Sequence, residues 1–188
     1  MNIRLQIMKI EELTQVYNNY LLKDFPPDEV KPLSAMEAMI EKGCYEPLAI
    51  ICDEQACGYA LMTLIPKCDY VLLDYLSIYP DMRGKSLGSH ALSALKEYYS
   101  TKSIFIESEN PDFLTDKVQA IKRLAFYERN GVNDSQVLST IWGVHYINYY
   151  LGSDTLSPDY CKTAIETIYK TMIPNDNVRQ EKVKVYLR

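Results

Sequence analysis

The stretch from Tyr70 to Tyr99 constrains this chain most. Tyr70-Val71-Leu72-Leu73-Asp74-Tyr75-Leu76-Ser77-Ile78 is apolar and β-prone, and Pro80-Asp81 ends it. Arg83-Gly84-Lys85-Ser86-Leu87-Gly88-Ser89 follows, after which Leu87, Ala91, Ala94, Leu95 and Tyr98 fall at helical spacing. The first amides of a helix lack intrahelical partners and carry partial positive charge. Gly84, Ser86, Gly88 and Ser89 let a ligand come close to that backbone, and Arg83 and Lys85 add full charges. The strand–loop–helix unit therefore reads as a phosphate or pyrophosphate seat; the plainer reading is a capped helix with solvated basic residues. Gly84-Lys85-Ser86 matches the end of GxxxxGK[ST], but Tyr79 stands where the first glycine belongs, and no GxGxxG occurs.

The flanking patterns build a mixed α/β chain. Ile3, Leu5 and Ile7 alternate as a strand, and Leu13, Val16, Tyr17, Tyr20 and Leu21 predict a helix that stops before Asp24-Phe25-Pro26-Pro27. Ser34 and Glu37 suggest a capping box for a second helix ending at Gly43. Residues 48–52 and 58–65 read as a hairpin around Asp53-Glu54-Gln55. Residues 103–107 read as a strand, and 120–129 as a helix closed by Asn130-Gly131. Residues 137–151 alternate as one or two strands. Ser157-Pro158 opens a further helix, and residues 182–188 alternate as a last strand.

Composition narrows the function. Of 188 residues 20 are Lys or Arg and 25 Asp or Glu, a net charge of −5, which argues against broad nucleic-acid binding. Five cysteines, odd in number and without a CxxC pair, read as small hydrophobes in a reducing compartment. Two histidines without paired spacing argue against a metal site. The sequence shows neither a signal-peptide pattern nor 18 consecutive apolar residues, so the expectation is a cytoplasmic protein with no membrane span.

Residues Leu73 to Ser89 resemble motif A of the GNAT superfamily of acyl-CoA-dependent N-acetyltransferases, whose loop reads [RQ]xxGx[GA]. Arg83 and Gly88 match, while Ser86 replaces the middle glycine and narrows the permitted backbone angles. Arg123-Leu124-Ala125-Phe126-Tyr127-Glu128-Arg129-Asn130-Gly131-Val132 resembles motif B, and Ile104 to Asn110 resembles the strand between them. The segment 111–119 departs from the family's usual spacing between Asn110 and Tyr127.

The resemblance implies a GNAT-like fold over residues 1–152: a mostly antiparallel central sheet flanked by helices, with a splayed parallel strand pair at the cofactor cleft. Residues 153–188 are expected to add a helix and strand to the same domain. Acetyl-CoA is the implied co-substrate, with no metal. Its pantetheine arm would pair with the backbone of Leu76, Ser77 and Ile78, its pyrophosphate would sit on the amides of Arg83, Gly84, Lys85, Ser86, Leu87, Gly88 and Ser89, and Asn110 and Tyr127 would contact it. The Ile78 N–H would face the thioester carbonyl. Tyr127 matches the family's general acid. Period-two spacing puts Asp74 on the face of Leu76 and Ile78, making it a candidate base beside Glu107 and Glu109; an ordered water is the other candidate.

The expected reaction is direct acetyl transfer to a primary amine, small-molecule or peptide. The alternatives are a non-catalytic acyl-CoA-binding regulatory module, or an interaction protein using the fold as scaffold. Alternation of Val183, Val185 and Leu187 further suggests an edge strand able to seal a homodimer.

Overall fold

A computed structural model describes residues 3–27 and 29–188. Eight strands are hydrogen-bonded in the order β1-β2-β3-β4-β5-β7-β6-β8: β1 Ile3–Ile7, β2 Tyr45–Cys52, β3 Gln55–Leu64, β4 Tyr70–Ile78, β5 Ser103–Glu109, β6 Asn133–Ile141, β7 Val144–Leu151 and β8 Val183–Leu187. The β4/β5 pair is parallel in a mostly antiparallel sheet, the expected α/β class. Contacts divide the chain into two compact units. One runs up to Pro66 and includes Leu73–Tyr98; the other comprises Lys67–Leu72 and Tyr99–Arg188.

In the first unit β1 and β3 both pair antiparallel with β2. Asp53 and Glu54 join β2 to β3 with φ of 46° and 68°, the double positive φ that closes a two-residue hairpin. On one face Leu13, Leu21, Met36, Tyr59, Leu61 and Tyr75 form a buried cluster. Its helical cover is α1 Ile10–Val16, a π-helical turn Tyr17–Leu21, α2 Leu22–Asp24 and α3 Leu33–Glu41. The helical run takes in Asp24, one residue beyond the expected stop, and ends at Phe25 ahead of the proline pair. The Ser34–Glu37 box does not form, because Pro32 stands at the N-cap and its carbonyl takes the amides of Ala35 and Met36, leaving Ser34 inside the first turn. On the other face Ile50, Cys52, Cys57, Leu87 and Ala91 pack with Leu76 and Ile78, seating α4 Leu87–Tyr98.

In the second unit β7 pairs with both β5 and β6, and β6 with β8, all antiparallel. Trp142 and Gly143, at φ 49° and 88°, turn β6 into β7, so the aromatic stretch is two strands. α5 spans Val118–Arg129 and α6 Pro158–Met172, where the Ser157 hydroxyl accepts from the Tyr160 amide as the sequence predicted. Cys161, Ile165, Ile168 and Tyr169 bury one face of α6. The tail holds an element with no counterpart in the sequence reading, α7 Asp176–Lys182, capped by the Asn175 side chain. β8 does end the sheet, and Arg188 bridges to Asp134 at 2.8 Å. All five cysteines are free; Cys52, Cys57 and Cys161 are buried, Cys44 and Cys68 half-buried. No helix among the described residues is long and apolar enough to cross a membrane.

Candidate functional site

The loop between β4 and α4 carries the backbone geometry on which the sequence reading rests. Pro80–Met82 make one 3-10 turn, Gly84 takes φ +82° and Ser86 φ +57°. A Cβ at Gly84 would meet nothing within 4 Å, so the backbone angle rather than space calls for glycine there. Ser86 occupies the left-handed region where the motif otherwise has glycine. Its carbonyl is the hub of the turn, accepting from the Ser89 and His90 amides at 3.1 and 3.2 Å, with His90 Nδ1 at 2.9 Å.

Amides in this loop therefore differ. Arg83 N–H donates to Pro80 at 3.3 Å, and Ser89 N–H to Ser86. Among the described residues, the amides of Gly84, Lys85, Ser86, Leu87 and Gly88 donate to no main-chain carbonyl outside the helix. These five successive amides, beside the exposed Lys85 and at a helix start, suit an anion such as a diphosphate.

Arg83 lies back over the end of β4. Its Nε donates to the Ile78 carbonyl at 2.8 Å, and Nη2 reaches Asp24 Oδ1 at 3.1 Å and Ser77 Oγ at 3.4 Å. The other oxygen of Asp24 accepts from the buried Tyr59 hydroxyl at 2.8 Å. Tyr20 stacks on Tyr79 beside this group, with ring centroids 4.0 Å apart.

Strand geometry sets which way the backbone at the end of β4 faces. The Tyr79 amide donates to Cys57 at 2.9 Å, and a Cβ on Gly58 would come within 2.4 Å of the Ser77 carbonyl. β3 therefore packs tightly along this end of β4, and Gly58 is what permits the approach. Alternation of strand amides then turns the backbone groups of Leu76 and Ile78 away from β3. Arg83 uses one of the two lone pairs of the Ile78 carbonyl.

Asp74 does not keep company with Leu76 and Ile78. Its carboxylate takes both contacts of Lys31 Nζ and the Tyr45 hydroxyl at 2.9 Å. Lys31 sits over the Tyr75 ring, 5.5 Å from its centroid, and its amide donates to the Tyr75 hydroxyl. Period-two alternation thus does not describe the contacts of Asp74, which lie with the groups around Tyr75. Burial, chiefly, and the neighbouring Asp74 hold the Tyr45 phenol well above its ordinary range.

The remaining candidates belong to the second unit. Tyr127, on α5, is buried, and desolvation pushes its phenol up to about 12, with the Tyr149 hydroxyl adding and Arg123 opposing. The Tyr149 ring lies 6.0 Å away. Asn110 is buried and its side chain accepts from the Asp112 amide at 3.0 Å, capping the 3-10 turn Pro111–Phe113. Glu107 accepts from the Tyr169 hydroxyl at 2.6 Å and Ser139 at 3.4 Å. Glu109 pairs with Arg123 at 3.4 Å.

Three residues of this site escaped the sequence reading: Asp24, Tyr59 and Lys31. Asp24 lies 59 residues from the arginine it contacts and Lys31 lies 43 from its aspartate. No local spacing signals such pairs.

No family model matches the chain. It is 30% identical over 112 residues to the candidate acetyltransferase YjbC of Bacillus subtilis (strain 168), covering 60% of this chain and 54% of that protein. The chain thus spans about half the length of the curated relative it matches. A candidate GNAT-family acetyltransferase from Bacteroides thetaiotaomicron superposes with TM-score 0.74 at 17% identity, over 90% of this chain and 97% of that one. Spermidine N-acetyltransferase from Vibrio cholerae, solved with CoA and spermine, superposes with TM-score 0.58 at 12% identity, over 79% and 94%. The fold of this chain is the GNAT fold.

Proposed function

We propose that this chain, folded as a GNAT protein, is an acetyl-CoA-dependent N-acetyltransferase acting on a primary amine. The observation that carries the reading is the row of amides from Gly84 to Gly88 at the start of α4, in the loop that directly follows β4. Fold likeness to a protein solved with CoA supports it, as does the sequence match to a candidate acetyltransferase.

In this reading the amides of residues 84–88, with Lys85, hold the diphosphate, and the backbone of Leu76 and Ile78 aligns the pantetheine arm. Bound there, the cofactor supplies an activated acetyl thioester. The Ile78 N–H donates to the thioester carbonyl oxygen. A neutral amine attacks that carbonyl; the N–C bond forms, the C–S bond breaks, and the Tyr127 phenol gives its proton to the departing sulfur. A phenol raised to about 12 is fully protonated at neutral pH, as this role needs. Asp74 and Glu107 are each already hydrogen-bonded, which favours water as the acceptor of the amine's proton.

The test is a screen of amines for free-thiol release from acetyl-CoA, alongside CoA calorimetry. Turnover with at least one amine, and a Tyr127→Phe variant that keeps CoA affinity but loses kcat by about 10- to 100-fold, is expected. CoA binding without turnover on any amine would leave the non-catalytic module as the correct reading, and absence of CoA binding would defeat both.

A further inference from the structure

We infer that Asp24 is the positioning residue for Arg83, so that the end of the N-terminal helical segment sets how the cofactor loop receives its ligand. The inference rests on the acetyl-CoA reading of the Gly84–Gly88 loop. Arg83 alone could not hold one pose: its side chain is 55% exposed, and an exposed guanidinium on a flexible stem samples many rotamers. Here it is held at two points of its fork. Nε is bonded to the Ile78 carbonyl, and Nη2 to Asp24 Oδ1.

The carboxylate is itself held. Asp24 is 13% exposed, and its second oxygen accepts from Tyr59, a fully buried tyrosine of β3. The chain of contacts runs from a rigid core strand, through a hydroxyl and a carboxylate, to a guanidinium. Among the described residues Nη1 of Arg83 makes no hydrogen bond. The planar fork therefore presents its remaining edge in one orientation, ready for an anionic oxygen. Asp24 also leaves Arg83 with less net charge to offer, so a ligand meets a directed donor more than a free cation. Such an arrangement lowers the ordering cost at the moment of binding.

The experiment measures CoA affinity by calorimetry for the intact chain and for Asp24→Asn, Arg83→Gln, the double variant, Tyr59→Phe and Asp24→Glu, with thermal melts of each. Loss of the charge-assisted contact in Asp24→Asn is expected to weaken CoA binding about tenfold. Arg83→Gln is expected to weaken it at least as much, and the double variant no more than Arg83→Gln alone, because both changes break one unit. Asp24→Glu should recover part of the affinity, and Tyr59→Phe should lose a smaller part. Once an acceptor is known, Asp24→Asn should raise KM for acetyl-CoA with kcat within about twofold.

Several results would overturn the inference. One is unchanged CoA affinity in Asp24→Asn while Arg83→Gln binds weakly. Another is additive losses in the double variant. A third is affinities that simply follow the melting temperatures, with no recovery in Asp24→Glu. A wild-type chain that does not bind CoA would instead overturn the acetyl-CoA reading itself, and this inference with it. Should Asp24→Asn fail to fold, Tyr59→Phe and the Arg83→Gln, Tyr59→Phe pair carry the same cycle from the other end of the chain of contacts, with additivity again the contrary result.

Discussion

Lys31 places its ammonium against both oxygens of a single carboxylate, 2.6 Å from Oδ1 and 2.7 Å from Oδ2 of Asp74. The Tyr75 hydroxyl accepts from the Lys31 amide and donates to the Glu29 carbonyl, so the segment before α3 is tied to β4 by main chain and side chain together. With Asp74 only 8% exposed, deleting the cation strands a buried charge. Lys31→Met is expected to cost about 3 kcal/mol, seen as a lower urea midpoint at unchanged slope. A cost below about 0.5 kcal/mol, as for an exposed pair, would show that the contact does not hold this segment.

Ser86 keeps a glycine-like backbone with a side chain attached. Left-handed angles cost an L-residue about 1–2 kcal/mol, part of which the greater unfolded freedom of glycine returns. Ser86→Gly is expected to stabilise the fold by about 0.5–1 kcal/mol and leave CoA affinity equal or higher. A lower melting temperature would mean that the Ser86 side chain contributes more than the angle costs.

Alkaline pH offers a separate check. Tyr70, Tyr79 and Tyr127 are each raised from an ordinary 10 to about 12, burial being the largest cause in all three. The unfolded chain thus loses these protons before the folded one does. Their contribution is fully present below pH 10 and is lost as pH rises toward 12. Unfolding free energy is expected to run level through pH 9 or so and drop between about 10 and 12. Stability that stayed constant across that window would contradict the burial of these phenols.

How much of this was legible in the sequence depends on range. β1 and β4 fall at the residues where alternation and apolar run placed them, and the Ser157 cap forms, because those signals are local. α7 was missed although Asn175 could have announced it as a cap; its residues Asp176 to Lys182 are polar enough to hide any face. The first helix was read without its π-turn, since Tyr17, Tyr20 and Leu21, all within that turn, keep the apolar spacing of a plain helix. The break between β4 and α4 follows locally from Pro80 and the small residues Gly84, Ser86 and Gly88. The partners of Asp24, Asp74 and Glu107 were not legible, for each is a contact between distant elements that only the folded sheet brings together. That is also why Asp74, placed by alternation beside Leu76, lies with Lys31 and Tyr45.

Amide chemical shifts of the nitrogen-15-labelled chain, followed through a CoA titration, test the central claim most directly. The largest and saturable shifts are expected at Gly84, Lys85, Ser86, Leu87 and Gly88, with the protein-bonded amides of Arg83 and Ser89 moving less. Saturable CoA binding that leaves those five amides unmoved, or a titration without any saturable shift, would contradict it.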